Sequence, residues 1–105
     1  MNAIVVMTTV SEREAGERLA SALVEAKLAA CVQILPPMTS VYRWEGEIQR
    51  ETEHLLLIKT TQDKWDSLAA FIHTHHPYEV PEVIAVEASK IAPEYGAWLT
   101  EQVAV

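Results

Sequence analysis

The chain has 105 residues, half of them hydrophobic and 22% charged, with fifteen acidic side chains against eight basic ones and a net charge of −7. One domain over residues 1–105 fits that length, and the apolar share excludes intrinsic disorder. The acidic balance argues against nucleic acid and anionic membrane surfaces, since both require a positive footprint.

Ala3-Ile4-Val5-Val6-Met7 is a short apolar run rich in β-branched residues and reads as a buried strand. Ser11-Glu12-Arg13-Glu14 fits a capping box. Ala15, Leu19, Ala22, Leu23 and Ala26 follow at helical spacing, so the pattern predicts an amphipathic helix over Ser11–Lys27. Ala30–Leu35 is a second apolar run. Pro36-Pro37 must bend or break it, because two prolines cannot both sit in a paired ladder.

The strand resumes over Met38–Trp44, turns at Glu45-Gly46 and returns over Glu47–Thr60. Along the return, Glu47, Gln49, Glu51 and Glu53 alternate, which predicts one wet face. Leu55-Leu56-Leu57-Ile58 then form a solid apolar block, which predicts cover on both faces. A strand of that length spans ~40 Å at ~3.3 Å per residue. A globule of this size has a radius of gyration near ~13 Å, so the hairpin should project. Val41, Tyr42, Trp44 and Ile48 lie on the projecting part, where a second chain could cover them.

Thr60 or Thr61 can cap the next helix, whose apolar stripe is Trp65, Leu68, Ala69 and Ile72 and which ends before Pro77. Val80–Ala88 reads as a further strand. Pro93 suits the first turn of a closing helix carrying Tyr95, Trp98, Leu99 and Val103. The order is that of an α+β, ferredoxin-like βαββαβ fold with an additional C-terminal helix and a long projecting β-hairpin. That fold hosts many functions and supplies none by itself.

Three glycines, at 16, 46 and 96, leave no room for a glycine-rich phosphate loop. No nucleophile elbow or metalloprotease motif occurs, so the sequence supports no catalysis. The lone Cys31 cannot form an intrachain disulfide and reads as a small core side chain in a cytoplasmic protein. No stretch approaches a membrane span.

His73-Thr74-His75-His76 is the one metal-like cluster. Imidazoles at a helix end could converge on a divalent ion. Equally, they could finish the helix as protonated groups complementing its dipole, which opposes ligation. Glu47 and Glu51 read as a solvated acidic face.

Ala29-Ala30-Cys31-Val32, Ser40-Val41-Tyr42-Arg43-Trp44-Glu45-Gly46, Glu53 with Leu57-Ile58-Lys59-Thr60, and His76-Pro77-Tyr78-Glu79-Val80-Pro81-Glu82 together resemble the CutA divalent-cation tolerance family. The resemblance covers essentially the whole chain, in order and at matching spacing. It implies a ferredoxin-like subunit in a cytoplasmic homotrimer joined through the long hairpins, with a link to copper and divalent-metal tolerance. It further implies weak binding of Cu(II) or another divalent cation at His75 and His76. In copper-binding members a cysteine near the end of the first strand completes the site; Thr8 stands there in this chain. The family's trimer is similar to that of PII-type signalling proteins, which implies a regulatory scaffold with ligands at subunit clefts as the alternative. Glu53, Glu82, Lys59, Arg43 and Tyr78 fall inside the matching blocks, where ion pairs between subunits or a cleft could use them.

Overall fold

In the computed structural model, which describes residues 2–105, the first apolar run becomes β1 (Ala3–Val10). Then come α1 (Arg13–Glu25), β2 (Cys31–Ile34), β3 (Met38–Trp44), β4 (Glu47–Thr61), a 3-10 turn at Gln62–Lys64, α2 (Trp65–His75), β5 (Ile84–Glu87) and α3 (Pro93–Val103). The antiparallel sheet runs β2-β4-β1-β5, with β3 pairing the distal half of β4. This is the ferredoxin-like arrangement expected, with the broken strand at Pro36-Pro37 dividing β2 from β3.

Local details depart from expectation at the caps. Glu12, not Ser11, is the N-cap of α1, and it makes no side-chain cap bond. The Ser11 hydroxyl is directed instead to the Tyr78 side chain. The other end of α1 closes with Lys27 N–H to Val24 O and Leu28 N–H to Leu23 O, with Lys27 at φ 60° where glycine is usual. Thr60 and Thr61 remain in β4. The Thr60 hydroxyl donates to Leu28 O, and Thr61 precedes the 3-10 turn without capping it. At the hairpin tip Glu45 (φ 50°) and Gly46 (φ 83°) both have positive φ, as a two-residue turn matched to strand twist requires. The strand expected over Val80–Ala88 is paired only from Ile84. Val80–Val83 runs as a loop, since Pro81 has no N–H to give a ladder.

One sheet face is well covered. Ile4, Val6, Val10, Leu56 and Ile58 meet Leu19 and Leu23 of α1 and Leu68 and Ile72 of α2. The opposite face is covered only at one end, where Leu99 and Val103 of α3 meet Ala3 and Ala30. Beyond it, register aligns Gln33, Leu57, Met7 and Ile84 in one row and Cys31, Lys59, Val5 and Val86 in the next. Leu55 and Leu57 are only half-buried, whereas Leu56 and Ile58 are fully buried. The solid apolar block thus has one face covered within the subunit, not two. Cys31 is likewise half-buried on this open face, beside Lys59, rather than in the core.

The molecule measures 44 × 25 × 23 Å with a radius of gyration of 14.3 Å, the long axis reflecting the projecting β3–β4 hairpin. Among the described residues, no helix is long and apolar enough to cross a membrane.

Candidate functional site

The histidine cluster closes α2. His73 and His75 each hydrogen-bond through Nδ1 to the carbonyl four residues back, Ala69 O and Phe71 O, both at 2.9 Å. His75 is exposed and stacks on Phe71, with ring centroids 4.0 Å apart. At His76 the backbone leaves the helical region, as a residue before proline must. That exit carries its ring into the protein, where it is only 8% exposed.

His76 Nε2 lies 2.7 Å from Thr9 O, and the Tyr78 N–H donates to His76 Nδ1 at 3.1 Å. Those partners fix the neutral tautomer protonated on Nε2. Burial lowers its pKa from the ordinary imidazole value, outweighing the Thr9 bond and the negative charge of Glu53. The helix end therefore does not hold a proton on His76, contrary to the dipole argument.

The residues present do not make a preformed copper centre. Both His76 nitrogens are already engaged, so ligation would cost the Thr9 or the Tyr78 bond. Thr8 is fully buried on the covered face of β1, and its hydroxyl has no partner among the described residues. A hydroxyl is also a poor ligand for a borderline ion. No group of three or more His, Cys, Asp or Glu among the described residues could hold a metal.

The same loop does build a second feature. His76 anchors the chain so that Tyr78 faces the hairpin base, and the Tyr78 hydroxyl donates to Glu53 Oε2 at 2.7 Å. Burial and the neighbouring carboxylate raise the Tyr78 pKa, so the phenol stays protonated. Tyr42 donates to Glu51 Oε1 at 3.3 Å from the adjacent strand. Between hairpin and loop lies a cleft of 760 Å³, walled by Tyr42, Trp44, Tyr78, Glu51, Glu53 and Glu82 among others. Glu53, Tyr78, Glu82, Lys59 and Arg43 all fall inside the family-like blocks, with ion pairs between subunits or a cleft as the uses the sequence leaves open. The structure brings the first three to one cleft and leaves Lys59 outside it, near the Tyr95 ring. Thr9, another lining residue, carried no sequence signal, since its carbonyl rather than its side chain receives His76.

A family model described as CutA1 divalent ion tolerance protein matches residues 4–102. The chain belongs to that family. Chloroplastic protein CutA of Arabidopsis thaliana is 48% identical over 96 residues, covering 91% of this chain and 53% of its own length. The divalent-cation tolerance protein CutA of Thermus thermophilus is 45% identical over 97 residues, covering 92% of this chain and 94% of its own. This chain thus spans about half the length of the plant relatives it matches and nearly all of the bacterial one. Among solved structures, CutA from Xylella fastidiosa superposes with a TM-score of 0.95 at 35% identity, covering 99% of this chain and all of that one. CutA1 from Oryza sativa gives 0.94 at 44% identity, covering 97% and 94%. The CutA family is linked to divalent-cation tolerance, and this chain shares its members' overall fold.

Proposed function

We propose that this CutA1 chain works in the cytoplasm as a homotrimeric divalent-cation tolerance protein that meets copper or another divalent ion weakly. The observation that carries the assembly is the open sheet face. Leu55 and Leu57 are half-buried, and on the same face Ile84, in the row of Leu57, and Val86, in the row of Lys59, are 51% and 49% exposed. Val41, Tyr42, Trp44 and Ile48 on the hairpin are 40–59% exposed. Apolar surface of this extent marks an interface. A second copy supplies the cover that α3 does not. Reducing conditions suit the free Cys31.

The weak metal contact proposed is supported by the placing of the two histidines. His75 is exposed and needs no rearrangement to offer its Nε2, whereas His76 must break a buried bond first. Light scattering should give three times 11.7 kDa. Copper calorimetry on the parent and on His75→Ala should show weak binding reduced in the variant. A concentration-independent monomer, or copper binding indifferent to His75, would overturn the respective half.

A second reading, a PII-like regulatory scaffold with a ligand at the cleft, is favoured by the cleft itself. At 760 Å³ it falls within the range of small-molecule sites, and it is already held in shape by the His76–Tyr78–Glu53 bonds.

A further inference from the structure

Two charged side chains of β4 point to the open face, and each is partly or wholly out of water. Glu53 is only 7% exposed, and its hydrogen bond comes from the neutral Tyr78 phenol. Lys59 is half-buried, with its ammonium group 5.8 Å from the centroid of the Tyr95 ring. Among the described residues neither forms an ion pair. A charge drawn out of water is costly unless an opposite charge meets it, and covering the open face draws both out further.

The two cannot meet within one chain. Six residues of extended strand hold them ~20 Å apart, more than their side chains can bridge. The order along the face is Glu53, Leu55, Leu57, Lys59, so the half-buried leucine pair has a carboxylate on its hairpin side and an ammonium on its α3 side. Across β1, β2 and β5 the neighbours on this face are uncharged, from Val5 and Met7 to Cys31 and Ile84. On the hairpin, Glu47, Glu51 and Glu53 share this face, while Arg43 and Arg50 take the other. Among the described residues of the five strands, Lys59 is therefore the one basic side chain on the open face.

Symmetry says how such a face covers itself. In a closed ring of three, each contact is head-to-tail, and one part of a copy's surface meets a different part of the next. Three β4 strands crossing near one axis at their leucines meet that condition when the hairpin half of one strand lies against the α3 half of its neighbour.

We infer that Glu53 of one copy pairs with Lys59 of the partner subunit, so that the cleft at the hairpin base takes its basic side chain from the neighbouring copy. The pairing rests on the homotrimer reading and gives that interface a register. Glu47 and Glu51 are exposed and stay hydrated, whereas Glu53 adjoins the leucines. Tyr78 holds Oε2 of Glu53, which leaves Oε1 to accept from the ammonium.

The test is a double-mutant cycle on the intact chain, read as the subunit dissociation constant by sedimentation. Glu53→Gln keeps an acceptor for Tyr78, and Lys59→Met keeps the apolar stem without the charge. Each should raise the constant at least about tenfold, because the other charge is left buried and unpaired. The double variant should fall well short of the product of the two effects. Residues ~20 Å apart in one chain do not couple, so that shortfall places the contact between subunits. Multiplying effects in a trimer would overturn the pairing and leave the assembly standing. A parent that is monomeric at every concentration would overturn both. Carbodiimide coupling of the parent needs no variant to fold, and mass spectrometry should find Glu53 joined to Lys59 between chains. Linkage of either residue to a different partner, or no linkage between chains, would overturn the pairing.

Discussion

Glu53 on β4 and Tyr78 in the loop after α2, 25 residues apart, are joined by a 2.7 Å bond from the phenol hydroxyl to Oε2. This contact fixes the loop against the hairpin base. It gives the carboxylate a donor where no counter-ion stands among the described residues, so its loss exposes a cost that the wild-type arrangement partly offsets.

Tyr78→Phe removes that donor while keeping the ring. A buried acceptor that loses its partner costs about 1–3 kcal/mol. The urea midpoint should fall accordingly, and Glu53→Gln in the same background should recover part of the loss. Additive losses in the double variant would show that the two residues act independently.

His76 makes stability depend on pH in a definite direction. Its folded pKa lies below the ordinary value of 6.5, so the unfolded chain binds the proton more readily. The contribution is complete above about that value and is lost as pH falls through the folded pKa. Protonated Nδ1 would also meet the Tyr78 N–H as donor against donor. Glu53 partly opposes the shift and His73 adds to it. Thermal unfolding should therefore weaken between pH 7.5 and 5.5 in the parent. The slope should flatten in His76→Gln; an unchanged slope would remove His76 from the account.

Much of this architecture is legible because periodicity and proline act locally. Leu19 and Leu23, Leu68 and Ile72 announce their helices, and Pro36-Pro37 announces the break between β2 and β3. What the sequence hides is long-range. The Ser11 hydroxyl looks like a cap and turns to Tyr78 instead. Leu55–Ile58 looks covered on both sides because evenly apolar strands usually are, yet within the subunit only the face of Leu56 and Ile58 is fully covered. Adjacent His75 and His76 look like a ligand pair. Pro77 forces the chain out of the helix between them, so one is exposed and the other takes two buried bonds.

The hairpin and the closing helix each present an exposed tryptophan, and they should differ in effect. Trp44 is 41% exposed near the tip of the projecting hairpin, whereas Trp98 is 43% exposed but rests against Tyr95 on its own helix. Losing a well-packed interface tryptophan costs about 2 kcal/mol or more. Trp44→Ala should raise the subunit dissociation constant at least tenfold by sedimentation, with Trp98→Ala near the parent. Equal constants for both would place the interface elsewhere.

Thr8 gives the last expectation. Its side chain is fully buried on the β1 face that carries Ile4, Val6 and Val10, and its hydroxyl finds no acceptor or donor there among the described residues. Valine has nearly the same shape without the polar atom. Replacing an unsatisfied buried hydroxyl by a methyl group should stabilise the fold by about 1 kcal/mol, against the usual cost of core substitutions. Thr8→Val should thus raise the urea midpoint while leaving the copper titration as in the parent. Reduced copper affinity in a more stable variant would assign the hydroxyl to the metal after all. Lower stability would mean that the hydroxyl has a partner, and a subunit of the assembly would then be the place to look for it.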